Sequence, residues 1–406
     1  MLAQVEETIE EEEKLPRRDW AVLPALGLLT MGLLAGVAVL AAHPRFAADE
    51  TGLAPCLVLN DDSTGVRGVP NSSCTAKGKE SGWIEYRFNS RGHRAGMEPG
   101  PKSPDTYRIV MAGSSIAMGL FVPREQSIAG LLPGDLSQLT GRKVEIYNTS
   151  IGAAYGGSPH SVALRFNEVL DAKPDMVLWI LTEWDIDHAA DLHPQGTFLR
   201  AEGKDAGDAA SGSGARRALA KLGVNAVYEN AKDIRTLIAH YLYESPSLYV
   251  KSYLMNSDDV AGFLRSSWSP QWNRNLADFD TYAGQVIERS NSAGVPLVAV
   301  LIPNRAQVSM ISTGAWPSGY NPYKIDNEVR GVITRHGATF VDIFPDFRSI
   351  ANPEKDYMPV DGHPYAQGHA LLAGMIAQKL SGGVIPALKA GPAAASEAKS
   401  NGARPQ

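Results

Sequence analysis

Five strand-length segments, apolar or nearly so at their centres, recur between residues 107 and 343, at 107–112, 143–148, 176–181, 296–302 and 339–343. Each is about the length of a strand, and β-branched residues are frequent in them. Met176-Val-Leu-Trp-Ile-Leu181 shows the type: no polar position interrupts it, as in a strand covered on both faces. Segments with apolar residues at helical spacing lie between and after these runs, near 125–140, 158–171, 272–293, 323–336 and 365–380. Strands alternating with helices predict a parallel sheet, and right-handed crossovers make it an α/β/α three-layer sandwich.

The rhythm breaks once, between about 188 and 270. Gly203 to Gly214 is rich in Gly, Ala, Ser and Asp and reads as a flexible loop. From about 216 to 243, Leu219, Leu222, Val227, Ile234, Ile238 and Leu242 return to helical spacing. Tyr241, Tyr243, Tyr249 and Tyr253 have two readings, interface packing or a glycan-binding surface, of which packing is the more common use of such residues.

At the amino terminus an acidic run, Glu6-Glu7 to Glu11-Glu12-Glu13, reads as a solvated tail over 1–19. Trp20 to Ala42 then carries no charge. As a helix these residues reach about 34 Å, enough for a bilayer core. Lys14, Arg17 and Arg18 precede the span and Arg45 follows it, which predicts a single-pass anchor in the cytoplasmic membrane with its amino terminus inside and the rest exported. A cleavable signal peptide is the rival; the acidic leader and long apolar stretch favour an uncleaved anchor. Residues 43–105 read as a stalk with a small β element, 106–381 as the main domain, and 382–406 as a disordered tail.

Composition narrows the function. The net charge of −6 leaves no footprint for nucleic acid, and no histidine or cysteine spacing suggests a metal. No cofactor is expected. Cys56 and Cys74 are too few for a disulfide scaffold, but outside the cytoplasm one bridge between them is expected.

The chemistry is concentrated at the end of the first strand. Arg108-Ile-Val-Met-Ala-Gly113-Ser-Ser115 sets a hydroxyl at the carboxyl edge of a sheet, where open α/β sheets keep their sites. Alone, it reads first as a helix cap. A second signal changes the balance: Val360-Asp-Gly-His-Pro364 sets a carboxylate and an imidazole two residues apart. A serine hydroxyl needs an imidazole to take its proton, and the imidazole needs a carboxylate to fix its tautomer.

Gly113-Ser114-Ser115-x-x-x-Gly119, Asn148 to Gly152, Leu181-Thr182-Glu183-Trp184-Asp185 and Asp361-x-His363-Pro364 together resemble, in order, the four sequence blocks of SGNH (GDSL-like) serine hydrolases. Tyr86-Arg87-Phe88-Asn89-Ser90-x-Gly92-x-Arg94 is similar to the lead-in of membrane-anchored bacterial members. The resemblance implies a flavodoxin-like five-stranded sheet in 2-1-3-4-5 order and ester chemistry. It makes Ser115 the nucleophile and Asp361 and His363 its partners. The amides of Ser115 and Gly152 (Ala153 in a shifted alignment) would form the oxyanion hole.

Two positions depart from that pattern. Ser114 replaces an aspartate, and Trp184 stands where a carboxamide donor is usual, leaving Thr182 or Asn304 as substitutes and Asp185 as a further lining residue. The expectation is therefore a membrane-anchored, extracytoplasmic serine esterase or O-acyltransferase acting on envelope or exported polysaccharide esters. The alternative is a catalytically weak or inactive module that binds glycan.

Overall fold

The computed structural model describes residues 19–46, 52–61, 65–152, 155–192 and 224–389. The acidic leader at 1–18, Ala153, the Gly-rich start of the insertion and the last residues from 390 lie outside the described set. Helix α1 (Asp19–Phe46) contains the expected span. Its Leu28, Leu29 and Leu33 are exposed. Among the described residues no helix is long and apolar enough to cross a membrane. The side chains at 19–21, 35 and 38–46 are outside that set.

Two antiparallel hairpins follow: β1 (Leu57–Asp61) with β2 (Gly65–Gly68), and β3 (Ser73–Lys77) with β4 (Trp83–Arg87). The expected stalk is instead packed. Leu57, Val66, Ala76, Ile84, Tyr86 and Phe88 form a small core that also takes in Met118 and Ile151 from the main domain. Cys56 and Cys74 are joined in a disulfide within it. The alternation of Trp83-Ile-Glu-Tyr-Arg87 explains the docking, since Ile84 and Tyr86 face inward while their neighbours are exposed.

The main sheet has five parallel strands, hydrogen-bonded in the order β6 (Lys143–Asn148), β5 (Thr106–Gly113), β7 (Met176–Leu181), β8 (Leu297–Leu301) and β9 (Thr339–Val341). β5, β7 and β8 are buried at every position. This is why β7 and β8 read as unbroken apolar runs, while in β5 the buried Arg108 interrupts the pattern. Besides a single turn at Asp258–Ala261, the helices in chain order are α2 (Ser115–Met118), α3 (Ile128–Thr140), α4 (Pro159–Asp171), α5 (Glu183–Asp187), α6 (Val224–Leu242), α7 (Pro246–Leu254), α8 (Pro270–Ser292), α9 (Arg305–Thr313), α10 (Lys324–Arg335) and α11 (Ala366–Lys379). α9 was not among the expected helices. A capping box, Asn304 with Gln307, starts it directly after β8.

The expected tail begins too early at 382. Ile385 and Leu388 are buried against the main core, so the chain stays packed to that point. Two large apolar side chains there outweigh a local composition of Gly, Ala and Pro.

Candidate active site

The nucleophile's position follows from one backbone turn. β5 ends at Gly113, whose φ of +146° and crowding leave no room for a side chain: a Cβ there would lie 2.3 Å from the carbonyl oxygen of Ile180 on β7. Ser114 caps the next segment and Ser115 opens α2. Beneath this loop is Arg94, only 1% exposed. Its guanidinium donates to the carbonyls of Met118 (3.1 Å), Gly119 (2.7 Å), Val122 (3.0 Å) and Glu85 (3.3 Å). Burial lowers its pKa to about 10. The Tyr86 hydroxyl accepts the amide of Phe121 at 3.0 Å. Both residues belong to the lead-in motif, which thus buttresses the nucleophile loop.

Ser115, His363 and Asp361 converge. Ser115 Oγ lies 2.8 Å from His363 Nε2, and His363 Nδ1 lies 2.5 Å from Asp361 Oδ1. The same carboxylate oxygen accepts the backbone N–H of His363 at 3.2 Å. Gly362 between them has φ +87°, the left-handed conformation that lets so short a turn aim both side chains together. The Phe121 ring meets the imidazole edge-on, with centroids 5.3 Å apart.

The electrostatics fit a general base. Burial pulls the His363 pKa down, but the Asp361 charge and hydrogen bond, with Glu183 beyond, raise it above the ordinary imidazole value. For Asp361, burial pulls upward, and His363 with its hydrogen bonds overcomes this to hold the carboxyl below its usual range. His363 keeps 23% of its side chain open, so it stays accessible from the cleft. His369, six residues on, is fully buried, accepts the amide of Ile128 at 3.3 Å and is lowered by burial to about 3. It is a neutral packing residue.

The expected oxyanion donors fare less evenly. The Gly152 N–H donates to Met118 Sδ at 3.1 Å, so it is turned toward a thioether rather than left open. Thr182 is also committed: its amide and hydroxyl both donate to Asp185 Oδ2 at 2.8 Å, forming the cap of α5. Asn304 Nδ2 donates to Glu183 Oε1 and to the Tyr253 hydroxyl, each at 3.0 Å. Neither expected substitute therefore presents a spare donor as the site stands. Ser114 donates to Asp185 Oδ2 at 3.1 Å. Burial raises Asp185 to about 7.

Trp184 turns outward. It is 43% exposed, runs nearly parallel to the ring of Tyr155 (8°, centroids 6.3 Å apart), and touches His188. These rings line a cleft of about 980 Å³ that also contains Ser115, Gly152, Glu183, Asn304, Tyr249, Tyr253, Asp361 and His363. Tyr241 and Tyr243 divide: Tyr243 lines the cleft, while Tyr241 is exposed elsewhere.

Glu80 contacts the catalytic turn without any mark in the sequence. This carboxylate, in the β3–β4 turn, accepts the amides of Val360 (2.9 Å) and Asp361 (2.7 Å). Nothing in Lys77-Gly-Lys-Glu-Ser-Gly82 separates it from an ordinary solvated turn. The role of Arg305 was equally hidden, although its place after β8 put it near the site. It is 2% exposed and donates to the carbonyl of Pro359 at 3.1 Å.

No family model matches the chain, and no curated protein does. Solved structures similar to it include a lipase/acylhydrolase from Enterococcus faecalis (13% identity, 68% of this chain and 96% of that one, TM-score 0.36). A variant of an acetyl-xylooligosaccharide esterase from Geobacillus is similar at 13% identity, over 70% of this chain and 96% of that one, with TM-score 0.37. An SGNH-hydrolase family esterase is similar at 13% identity, over 75% of this chain and all of that one, with TM-score 0.34. A GDSL-like lipase from Bacteroides thetaiotaomicron is also similar, at 12% identity over 70% of this chain and 91% of that one, with TM-score 0.29.

Proposed function

We propose that the protein is a serine esterase that works through an acyl-serine intermediate. The single observation that carries this reading is the continuous hydrogen-bonded path from Ser115 Oγ through the His363 ring to Asp361. In the first half-reaction Ser115 Oγ attacks the ester carbonyl as its proton passes to His363 Nε2. Asp361 stabilises the imidazolium at Nδ1. The proton then goes to the leaving alkoxide, and the acyl group remains on Ser115. In the second half-reaction His363 removes a proton from water, or from an acceptor hydroxyl in the transfer version, and Ser115 is regenerated.

Three finer features belong to the proposal. Residues 20–42 anchor the chain in the cytoplasmic membrane, supported by their lack of charge and by the exposed leucines of α1. The remainder faces the extracytoplasmic side, supported by the lysine and arginines before the span. The substrate is an ester on an envelope or exported glycan, supported by Trp184, Tyr155 and His188 at the cleft, whose flat faces suit sugar rings.

Hydrolysis of a soluble aryl acetate by the full-length protein tests the core of the reading. Ser115→Ala and His363→Ala should each abolish turnover in protein that still folds, with the melting temperature nearly unchanged in Ser115→Ala. A carboxyl-terminal reporter tests topology: an extracytoplasmic signal is expected, and a cytoplasmic one overturns that part. The commitment of the Gly152 amide to Met118 favours a second reading, an inactive glycan-binding module. Saturable glycan binding with no turnover by folded protein would select it.

A further inference from the structure

Asp361 and His363 sit on a short turn whose internal bonds run from the Met358 amide to the His363 carbonyl (2.8 Å) and from the Gly362 amide to the Met358 carbonyl (3.0 Å). Those bonds shape the turn but do not fix where it points. Two buried charged side chains do that from outside. Arg305 holds the Pro359 carbonyl, and Glu80 Oε2 takes the next two amides, those of Val360 and Asp361. Successive peptide groups 359 to 361 are thereby gripped on their acceptor and donor sides.

Both grips continue into the insertion. Glu80 Oε1 lies 2.6 Å from Nδ1 of His240 on α6, and Arg305 also donates to the carbonyl of Tyr243 just beyond α6. The Glu80 side chain has no solvent exposure, and that of His240 has 9%. A carboxylate so fully removed from water is tolerated only when both oxygens are paired. Here the partners are two backbone amides of the catalytic turn on one side and an imidazole of the insertion on the other.

We propose that Glu80 is a positioning residue for the catalytic pair: it orients Asp361, and through it His363, by accepting the Val360 and Asp361 amides while His240 fixes its other oxygen. The amino-terminal β element and the insertion then become working parts of the site. A shift of about 1 Å in a catalytic group can cost about 10²-fold in rate. The inference rests on the esterase reading above and is tested so that the two can fail separately.

The experiment compares full-length wild type with Glu80→Gln, Glu80→Asp, Glu80→Ala and His240→Ala. Labelling of wild type by a fluorophosphonate comes first, because an unlabelled wild type sinks the esterase reading itself. With wild type active, kcat and KM are then measured on an aryl acetate. Gln is isosteric and its carbonyl oxygen still accepts both amides; Asp keeps the charge but is one methylene too short. The expected order of kcat is therefore wild type, Gln, Asp, Ala. Glu80→Gln should lie within about three-fold of wild type and Glu80→Ala at least about ten-fold below, with KM changed by less than about three-fold. His240→Ala should fall between the Gln and Ala variants. Glu80→Asp equal to or better than Glu80→Gln would overturn the proposal, since charge and not amide acceptance would then be what matters. Folded Glu80→Ala with kcat within two-fold of wild type would also overturn it. If Glu80→Ala does not fold, the order of Gln and Asp decides.

Discussion

The amide of Gly152 donates to Met118 Sδ at 3.1 Å, and this contact bears on how the site handles negative charge. An oxyanion-hole donor contributes about 10²–10³ in rate when aimed at the developing charge. A thioether is a weak acceptor, so an arriving ester oxygen competes with it readily. Met118→Leu, similar in volume and without the acceptor, should raise kcat by about two- to ten-fold, the worth of one weak hydrogen bond. Steady-state kinetics check this. A ten-fold loss at unchanged melting temperature would mean the N–H···S contact itself organises the site.

Removing the carboxylate partner of His363 should be severe. Asp361→Asn is expected to lower kcat/KM by about 10⁴-fold, because the imidazole loses both its tautomer control and its counter-charge. The pH profile gives a sharper check. In wild type the acidic limb of kcat/KM should lie above about 6.5, since Asp361 raises His363 and the base must be neutral to act. The limb should move to lower pH in the variant. A limb in the same place in both proteins would contradict the pairing.

The same shifts have consequences for stability. His363, raised in the folded state, contributes stability that is fully present below the unfolded imidazole value and is lost as pH rises through the folded one. Asp361, lowered, contributes stability present above the unfolded carboxyl value and lost as pH falls through the folded one. Asp185 is opposite in sign to Asp361. Burial lifts its pKa from the ordinary value to about 7, so the unfolded chain gives up that proton more easily. Stability should therefore decline as pH rises from about 4 to about 7. Asp185→Asn should lessen that decline, which melting temperatures of both proteins across this range would show. Parallel curves would contradict the assignment.

Trp184→Ala should raise KM for glycan esters and leave kcat on a small aryl acetate within about two-fold, a loss of about 0.5–1.5 kcal/mol for one aromatic contact. The indole lies exposed beside Tyr155 and His188, at the cleft wall. Paired kinetics on the two substrates check this; a collapse of kcat on the small ester would place Trp184 in the chemistry.

Much of this arrangement was legible in the chain itself. β7 announced itself because a strand buried on both faces has no polar position to blur it. Ser115, Asp361 and His363 stood out because a glycine-flanked turn and an Asp-x-His pair have few other uses together. What stayed hidden depends on contacts far apart in sequence. Glu80 reaches a turn 281 residues away. Gly152 has a suitable backbone position, but whether its amide is open depends on the rotamer of Met118, 34 residues earlier. The stalk was misread because a few inward residues, Ile84 and Tyr86 among them, gain their core only from partners in the main domain.

The most direct test is the intact mass of full-length protein after exposure to a fluorophosphonate, followed by peptide mapping. One covalent phosphonyl group, located on Ser115 and missing from both Ser115→Ala and His363→Ala, is the predicted result. A folded wild-type protein that gains no mass, or gains it at a different residue, would contradict the reading of Ser115 as a nucleophile activated by His363.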